Sequence, residues 1–384
     1  MKRLFVVVLA ICFITSPLFA QGKSGDTIKI GAILAVTGPA SFLGAPEEKT
    51  ANMLVKQINE KGGILGRKVE LIVKDSGGSP EKAVSFAKQL IEEEKVLAII
   101  GPSTSGETLQ IKQLCEESKM ILISCAAAEA ITNPVAKYVF KTAPNDSDAV
   151  RWIFKTMKSM DITKIAVLSS NDGFGNAGKK QLETIAPAEG MTILINETYD
   201  KQATDLTDIL TKVKSTAGVQ AVVNWSIVPA QSIVSKNMAQ IALKVPLFQS
   251  HGFANRKYAE QAGDTADGTL FPAGRIIVAD QLPDNHPQKK VLMAYKTEYE
   301  TQFKDDVSTF GGHPFDAIAI LAEAIKKADS TDRDKVRDAI EGIQGLVGTA
   351  GIFNFSPKNH GGLGMDAFEM MTVKGGKFHL YSKK

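Results

Sequence analysis

The residues best placed to do chemistry lie in "AIIGPSTSGETLQIKQL", positions 98–114. Gly101, Gly106 and Thr108 fall on the spacing G-x-x-x-x-G-K-[ST] of a loop that cradles nucleotide phosphates, but Glu107 stands where the lysine belongs. A phosphate loop needs several backbone N–H groups and a cation. Pro102 has no N–H, and Glu107 would repel the anion. Thr104 and Glu107 have instead the S/T-x-x-E spacing of a capping box, with Thr104 as N-cap of a predicted helix. Ser105 is left over. Its hydroxyl, with the first-turn N–H groups beside it, suits a single carboxylate at a helix N-terminus. The helix dipole contributes about 0.3–2 kcal/mol to such a contact.

A second motif, G-F-G-N-A-G from Gly173 to Gly178, fits the G-x-G-x-x-G dinucleotide fingerprint, and Glu197 follows about twenty residues on. Ser170, Asn171 and Asp172 separate the first glycine from the preceding strand, and Asp172 would sit beside the pyrophosphate. These glycines read better as loop formers presenting Phe174. Catalytic signals are weak. "GPSTS" lacks the last glycine of a nucleophile elbow, and Asp305–Asp306 and Glu92–Glu94 read as solvated charges. No enzyme is expected. Cys115, Cys125 and five scattered histidines offer no zinc spacing, so neither metal nor cofactor is expected, and the two cysteines read as small buried side chains.

These loops need strands and helices to hold them. Buried strands are predicted at "IKIGAILAV", "KVELIVKD", "VLAII" and "MILISC", alternating with helices at 49–63, "PEKAVSFAKQLIEEE" and "GETLQIKQLCEES". The rhythm breaks near Ala143–Asp146 and restarts from "RWIFKTMKSM" to "VPLFQS". Strands alternating with helices imply an α/β fold with doubly wound parallel sheets, here in two lobes. Three helices follow (288–303, 314–328, 331–341), then short strands with a tight turn at Gly375–Gly376. Ligands in such folds collect at the carboxyl ends of the strands. That singles out "TGPASFLGA", where Phe42 and Leu43 can face a cleft, "GPSTSGET", the small-residue run "SCAAAEA", and the loop carrying Phe174.

The chain has 384 residues, 44% hydrophobic and 23% charged, with a net charge of +3. That balance leaves no footprint for nucleic acid. The first residues, "MKRLFVVVLAICFITSPLFAQG", have the layout of a secretory signal peptide ending at Ala20, with an apolar run too short to span a membrane. Ile11 is bulky where a lipid anchor through Cys12 needs a small residue. A soluble protein of the periplasm is expected.

Together "IKIGAILAVTGPASFLG", "INEKGGILGRKVELIVKDSGGSPEKAVSFAKQLI", "AIIGPSTSGET", "YVFKTAPND" and "NDGFGNAG", in this order and spacing, resemble the periplasmic binding proteins of branched-chain amino acid ABC importers. The resemblance covers about 28–381 and implies the type I binding-protein fold: two lobes, 28–143 with 272–352 and 144–271 with 353–384, joined by three crossovers. It implies a monomer that closes on a small carboxylate ligand and docks on a membrane permease. The alternative use of this fold is a soluble receptor serving a membrane sensor. By the same resemblance Ser105 holds the ligand carboxylate, and Ala126, Ala127 and Ala128 offer backbone groups, with Ala128 lacking a hydroxyl the family often has. Phe174 closes over the ligand, and Leu43 or Phe42 fills the place of an aromatic in the first loop. His251 stands where amino-acid binders carry an acid that neutralises the ligand ammonium. Its presence argues for an aromatic or apolar acid, with Trp225 and Phe310 also facing the cleft. The opposing reading is that Asp172 or Asp205 serves an ammonium, and both ligand classes stay open at this point.

Overall fold

The computed structural model describes residues 27–382, so the expected signal segment lies outside the described residues. The first half of the chain runs β1 (Ile28–Leu34), α1 (Ser41–Glu60), β2 (Val69–Asp75), α2 (Pro80–Glu92), β3 (Ala98–Ile100), α3 (Ser105–Glu117), β4 (Ile121–Ser124) and β5 (Val139–Lys141). Its five strands form one parallel sheet in the order β2-β1-β3-β4-β5. Next come α4 (Asp146–Ser159), β6 (Lys164–Ser170), α5 (Gly173–Ile185), β7 (Thr192–Tyr199), α6 (Thr207–Ser215), β8 (Ala221–Trp225), α7 (Ala230–Gln240), β9 (Leu247–Gln249), α8 (Arg256–Ala262) and β10 (Leu270–Ala273). The chain ends with α9 (Lys289–Phe303), α10 (Thr309–Ala328), α11 (Arg333–Glu341), β11 (Leu346–Val347), β12 (Ile352–Phe353), β13 (Glu369–Lys374) and β14 (Lys377–Leu380). The second sheet has the order β14-β13-β10-β9-β8-β6-β7, with β13 and β14 added antiparallel at one edge.

The central strands of both sheets are apolar on both faces because helices cover both sides. Helices α10 and α11 pack with β1, β3 and β4 in the first core, whereas α4, α5 and α7 pack on the second sheet. The folding pattern is the α/β architecture of two doubly wound sheets expected from the alternation. One crossover differs from expectation. Phe353, Phe355, Leu363 and Ala367 are buried in the first core, and the chain joins the second sheet at Glu369. We therefore place the third crossover between 367 and 369 rather than at 352–353, and keep the other lobe boundaries as proposed.

Helices α1, α5 and α10 each begin earlier than the sequence indicated, inside stretches rich in glycine or proline. Glycines in the first turn cost no intrahelical bond, because first-turn N–H groups have no such partner, whereas Pro46 and Pro314, each sixth in its helix, withhold the N–H that the carbonyls of residues 42 and 310 would normally take. The consequence is functional. Phe42 and Leu43 ride on the first turn of α1, Phe174 on that of α5, and Phe310 and His313 on the opening turns of α10.

Candidate functional site

Between the two sheets, at the carboxyl ends of their strands, lies a cavity with about 600 Å³ of empty space. The first sheet contributes Ser103 and Ser105 after β3, Cys125, Ala126 and Ala127 after β4, and Ala143 and Pro144 after β5. The second contributes Phe174 after β6, Ile227 after β8, and His251 and Gly252 after β9. The rest of the wall includes Leu43, Thr309, Phe310, His313, Thr349 and Phe368. Of the residues singled out in sequence, seven meet here: Leu43, Ser105, Ala126, Ala127, Phe174, His251 and Phe310.

Three others do not line it. Phe42 points away and meets the Tyr258 ring edge-on at 5.1 Å. Ala128 lies behind Ser105, to whose Oγ its N–H donates at 3.2 Å. Trp225 is fully buried beneath Phe174 and His251, 5.8 and 5.5 Å away between ring centres. Neither alternative acid reaches the cavity. Asp172 caps α5, accepting from the Phe174 and Gly175 N–H groups. Asp205 is exposed and accepts from the Thr207 N–H and hydroxyl.

The two glycine motifs resolve into packing and capping. Thr104 caps α3, accepting from the Glu107 N–H, while the Glu107 carboxylate takes the Thr104 hydroxyl at 2.6 Å instead of the cap's backbone N–H. In the 173–178 motif, a Cβ on Gly173 would come within 2.5 Å of Gly106 across the gap between the halves. A Cβ on Gly178 would strike the Trp225 indole at 2.0 Å. Both glycines let backbones and rings approach, and the α5 amides that would hold a pyrophosphate are occupied by Asp172.

The polar inventory of the cavity is small. Ser105 Oγ accepts from Ala128, so its proton is free to donate to a bound ligand. The Ala126 N–H is spent on Ser124 Oγ at 3.0 Å, and the Ala127 carbonyl accepts from Lys141 Nζ at 2.6 Å. Ser103 is committed too. Its Oγ accepts from the Ala35 N–H at 2.9 Å and its hydroxyl donates to the buried Glu47 carboxyl. Burial pushes Glu47 up to about 8, against the lowering effect of Ser103.

At the opposite wall His251 sits among the rings of Phe174, Trp225 and Phe368, all between 5.2 and 5.5 Å from it. Neither ring nitrogen has a hydrogen-bond partner. Burial, with Lys141 and His313 nearby, drives His251 down to about 3 and keeps it neutral. His313 is neutral for the same reasons, burial first and then Lys141. Behind His251 lies Asp146, 3.5 Å from its Nε2, with both carboxyl oxygens lacking a partner and its proton affinity raised to about 7 by burial. No aspartate or glutamate lines the cavity itself.

Lys141, Asp146 and His313 were missed in sequence. A lysine closing the apolar run "YVFK" at a strand's carboxyl end was the available signal for the first. The two others required the fold, since nothing near His313 in sequence marks a site.

Profile comparison is decisive: the family described as periplasmic binding protein matches residues 27–377. The chain belongs to the periplasmic binding protein family. Its type I, branched-chain amino acid branch is the one to which its relatives point. This periplasmic binding protein is 26% identical over 324 residues to the leucine-, isoleucine-, valine-, threonine- and alanine-binding protein of Pseudomonas aeruginosa, covering 84% of each chain. An extracellular ligand-binding receptor from Rhodopseudomonas palustris HaA2 superposes with a TM-score of 0.86 at 26% identity, covering 92% of this chain and 99% of that one. The LivJ substrate-binding protein of Streptococcus pneumoniae, solved with isoleucine, gives a TM-score of 0.80 at 23% identity and 92% and 97% coverage, a likeness of fold. Such proteins bind ligands and are not catalysts. Among the described residues no helix is long and apolar enough to cross a membrane.

Proposed function

We propose that this periplasmic binding protein captures a small carboxylate with an apolar or aromatic body and delivers it to the permease of an ABC importer. In this reading residues 1–20 direct export, and the mature chain works as a periplasmic monomer. Ser105 and the N-terminus of α3 receive the carboxylate, and Phe174, Phe310, Leu43 and Phe368 enclose the body. The two lobes close around the ligand by a hinge motion.

The observation that carries the reading is the composition of the cavity wall. It pairs the Ser105 and Thr309 hydroxyls, each at a helix N-terminus, with apolar side chains and two neutral imidazoles, and it contains no acid. An ammonium buried without a counter-charge is costly, whereas a neutral imidazole can exchange a hydrogen bond with a hydroxyl or carbonyl on the ligand. An acid lacking an α-ammonium fits best.

An apolar amino acid is the second reading. It is favoured by Asp146, whose unpartnered carboxyl stands 3.5 Å behind His251, and by relatives named as leucine, isoleucine and valine binders. A thermal-shift screen of amino acids against aliphatic and aromatic acids decides between them, because a ligand that binds the native state raises Tm. Stabilisation by acids supports the first reading, and stabilisation by leucine or valine alone supports the second.

A further inference from the structure

Lys141 ends β5 wholly buried, and its Nζ donates to the Ala127 carbonyl at 2.6 Å. The peptide unit that owns this carbonyl also owns the Ala128 N–H, which donates to Ser105 Oγ at 3.2 Å. A single rigid peptide plane thus joins a cation to the hydroxyl that faces the cavity. An ammonium on the oxygen side of an amide draws electron density toward oxygen and makes the N–H a stronger donor. A serine oxygen that accepts a stronger hydrogen bond donates its own proton more strongly, and chains of this kind gain roughly 10–30% per bond.

The charge environment is otherwise sparse. Asp146, Glu129 and Asp148 are the acids that act on Lys141, and His251 and His313 face it as neutral rings. Among the described residues no ion pair to Lys141 lies within 4.0 Å. A buried cation whose hydrogen-bonded partner is a carbonyl, with its acids acting only from beyond ion-pair distance, gains further when an anion arrives.

We propose that Lys141 is a positioning residue for the carboxylate anchor: through the Ala127–Ala128 peptide it strengthens Ser105 as a donor, and its charge selects an anionic over a neutral ligand without touching it. This inference rests on Ser105 as the carboxylate anchor, and its test separates the two.

The probes are 4-methylpentanoate and 3-phenylpropanoate, each with its primary amide, and L-leucine with L-leucinamide. Binding of each is measured calorimetrically to the full mature chain and to its Ser105→Ala and Lys141→Gln variants. Lys141→Gln keeps a donor for the Ala127 carbonyl and removes the charge. The expected result is a loss of about fivefold or more for the acid and less than about twofold for its amide. Equal losses for acid and amide would make Lys141 merely structural and overturn the proposal. If Ser105→Ala lowers acid affinity while Lys141→Gln leaves it unchanged, the relay fails and the anchor stands. If Ser105→Ala changes nothing, or no acid binds the wild type, the anchor itself fails and takes the relay with it.

A wild-type measurement covers the case in which Lys141→Gln does not fold. Burial lowers Lys141 to about 8. Between pH 7 and 10 the ratio of amide Kd to acid Kd should therefore fall as the ammonium is lost. A constant ratio would count against the relay.

Discussion

The side-chain amide of Asn255 donates to the Phe42 carbonyl at 2.7 Å, and Pro46 is the reason that carbonyl is free. Within α1 the N–H of residue 46 would normally take the carbonyl of residue 42, but proline has no N–H. The vacancy on one half of the molecule is filled from the other. The same Asn255 caps α8, its Oδ1 accepting from the Lys257 N–H at 3.0 Å. Nearby, Lys257 reaches Asp305 at 3.4 Å and Arg256 reaches Asp306 at 2.8 Å. Contacts outside the cavity thus bridge the two proposed lobes.

Asn255→Asp separates these two duties. The aspartate still caps α8 but presents an acceptor to the Phe42 carbonyl. Ligand affinity should fall about three- to tenfold through a less favourable closed state, with little change in Tm of the free protein. Calorimetry and melting curves on the same samples check this, and a large loss of Tm would mean that the Phe42 contact supports the fold itself rather than the closed state alone.

Ser105→Ala removes the free donor at the α3 N-terminus. Carboxylate binding should weaken about tenfold or more, roughly 1.4 kcal/mol. Because the Ala128 N–H then loses its acceptor, stability should also drop, by about 1–3 kcal/mol. Unchanged affinity would remove Ser105 from the site.

His251→Glu places an acid where the proposed ligand's far end would lie, but beside Asp146, whose Oδ1 is 3.5 Å from the present imidazole. The double change His251→Glu with Asp146→Asn avoids two adjacent carboxyl groups. Affinity for L-leucine should rise at least about tenfold in the double variant, while affinity for 4-methylpentanoate falls. Competition binding of the two ligands reads this directly.

Glu47 makes a pH-dependent prediction. Its native pKa, about 8, lies above the ordinary value of 4.5, so between these limits the native state holds a proton that the unfolded state has released. Stability from this group is complete below pH 4.5 and is lost as pH rises through 8. Glu47→Gln keeps an acceptor for Ser103 and does not titrate. Its Tm advantage over wild type should therefore grow from pH 4.5 to 8 and level off above, measured by calorimetry in matched buffers.

Much of this was legible in the sequence. Alternating apolar runs and helix patterns fixed the α/β class, and the spacing around Thr104 separated a capped helix from a phosphate loop. Ser105 and Phe174 followed from their places after β3 and β6, and His251 from the family resemblance. Helix starts were harder, because Gly173, Pro46 and Pro314 look like breakers and only the packed structure shows the helices running through them. Phe42 and Leu43 could not be told apart until the phase of α1 was known. Lys141 and Asp146 act through space, and a linear pattern carries no signal for a peptide plane shared between two strand ends.

In the proposed function the site anchors a carboxylate and does not require an ammonium. The most direct measurement compares L-leucine with 4-methylpentanoate, the same skeleton without its amino group, by calorimetric titration at pH 7. The acid should bind at least about tenfold more tightly. Tight leucine binding with no heat from 4-methylpentanoate would contradict it and make Asp146 the ammonium's partner.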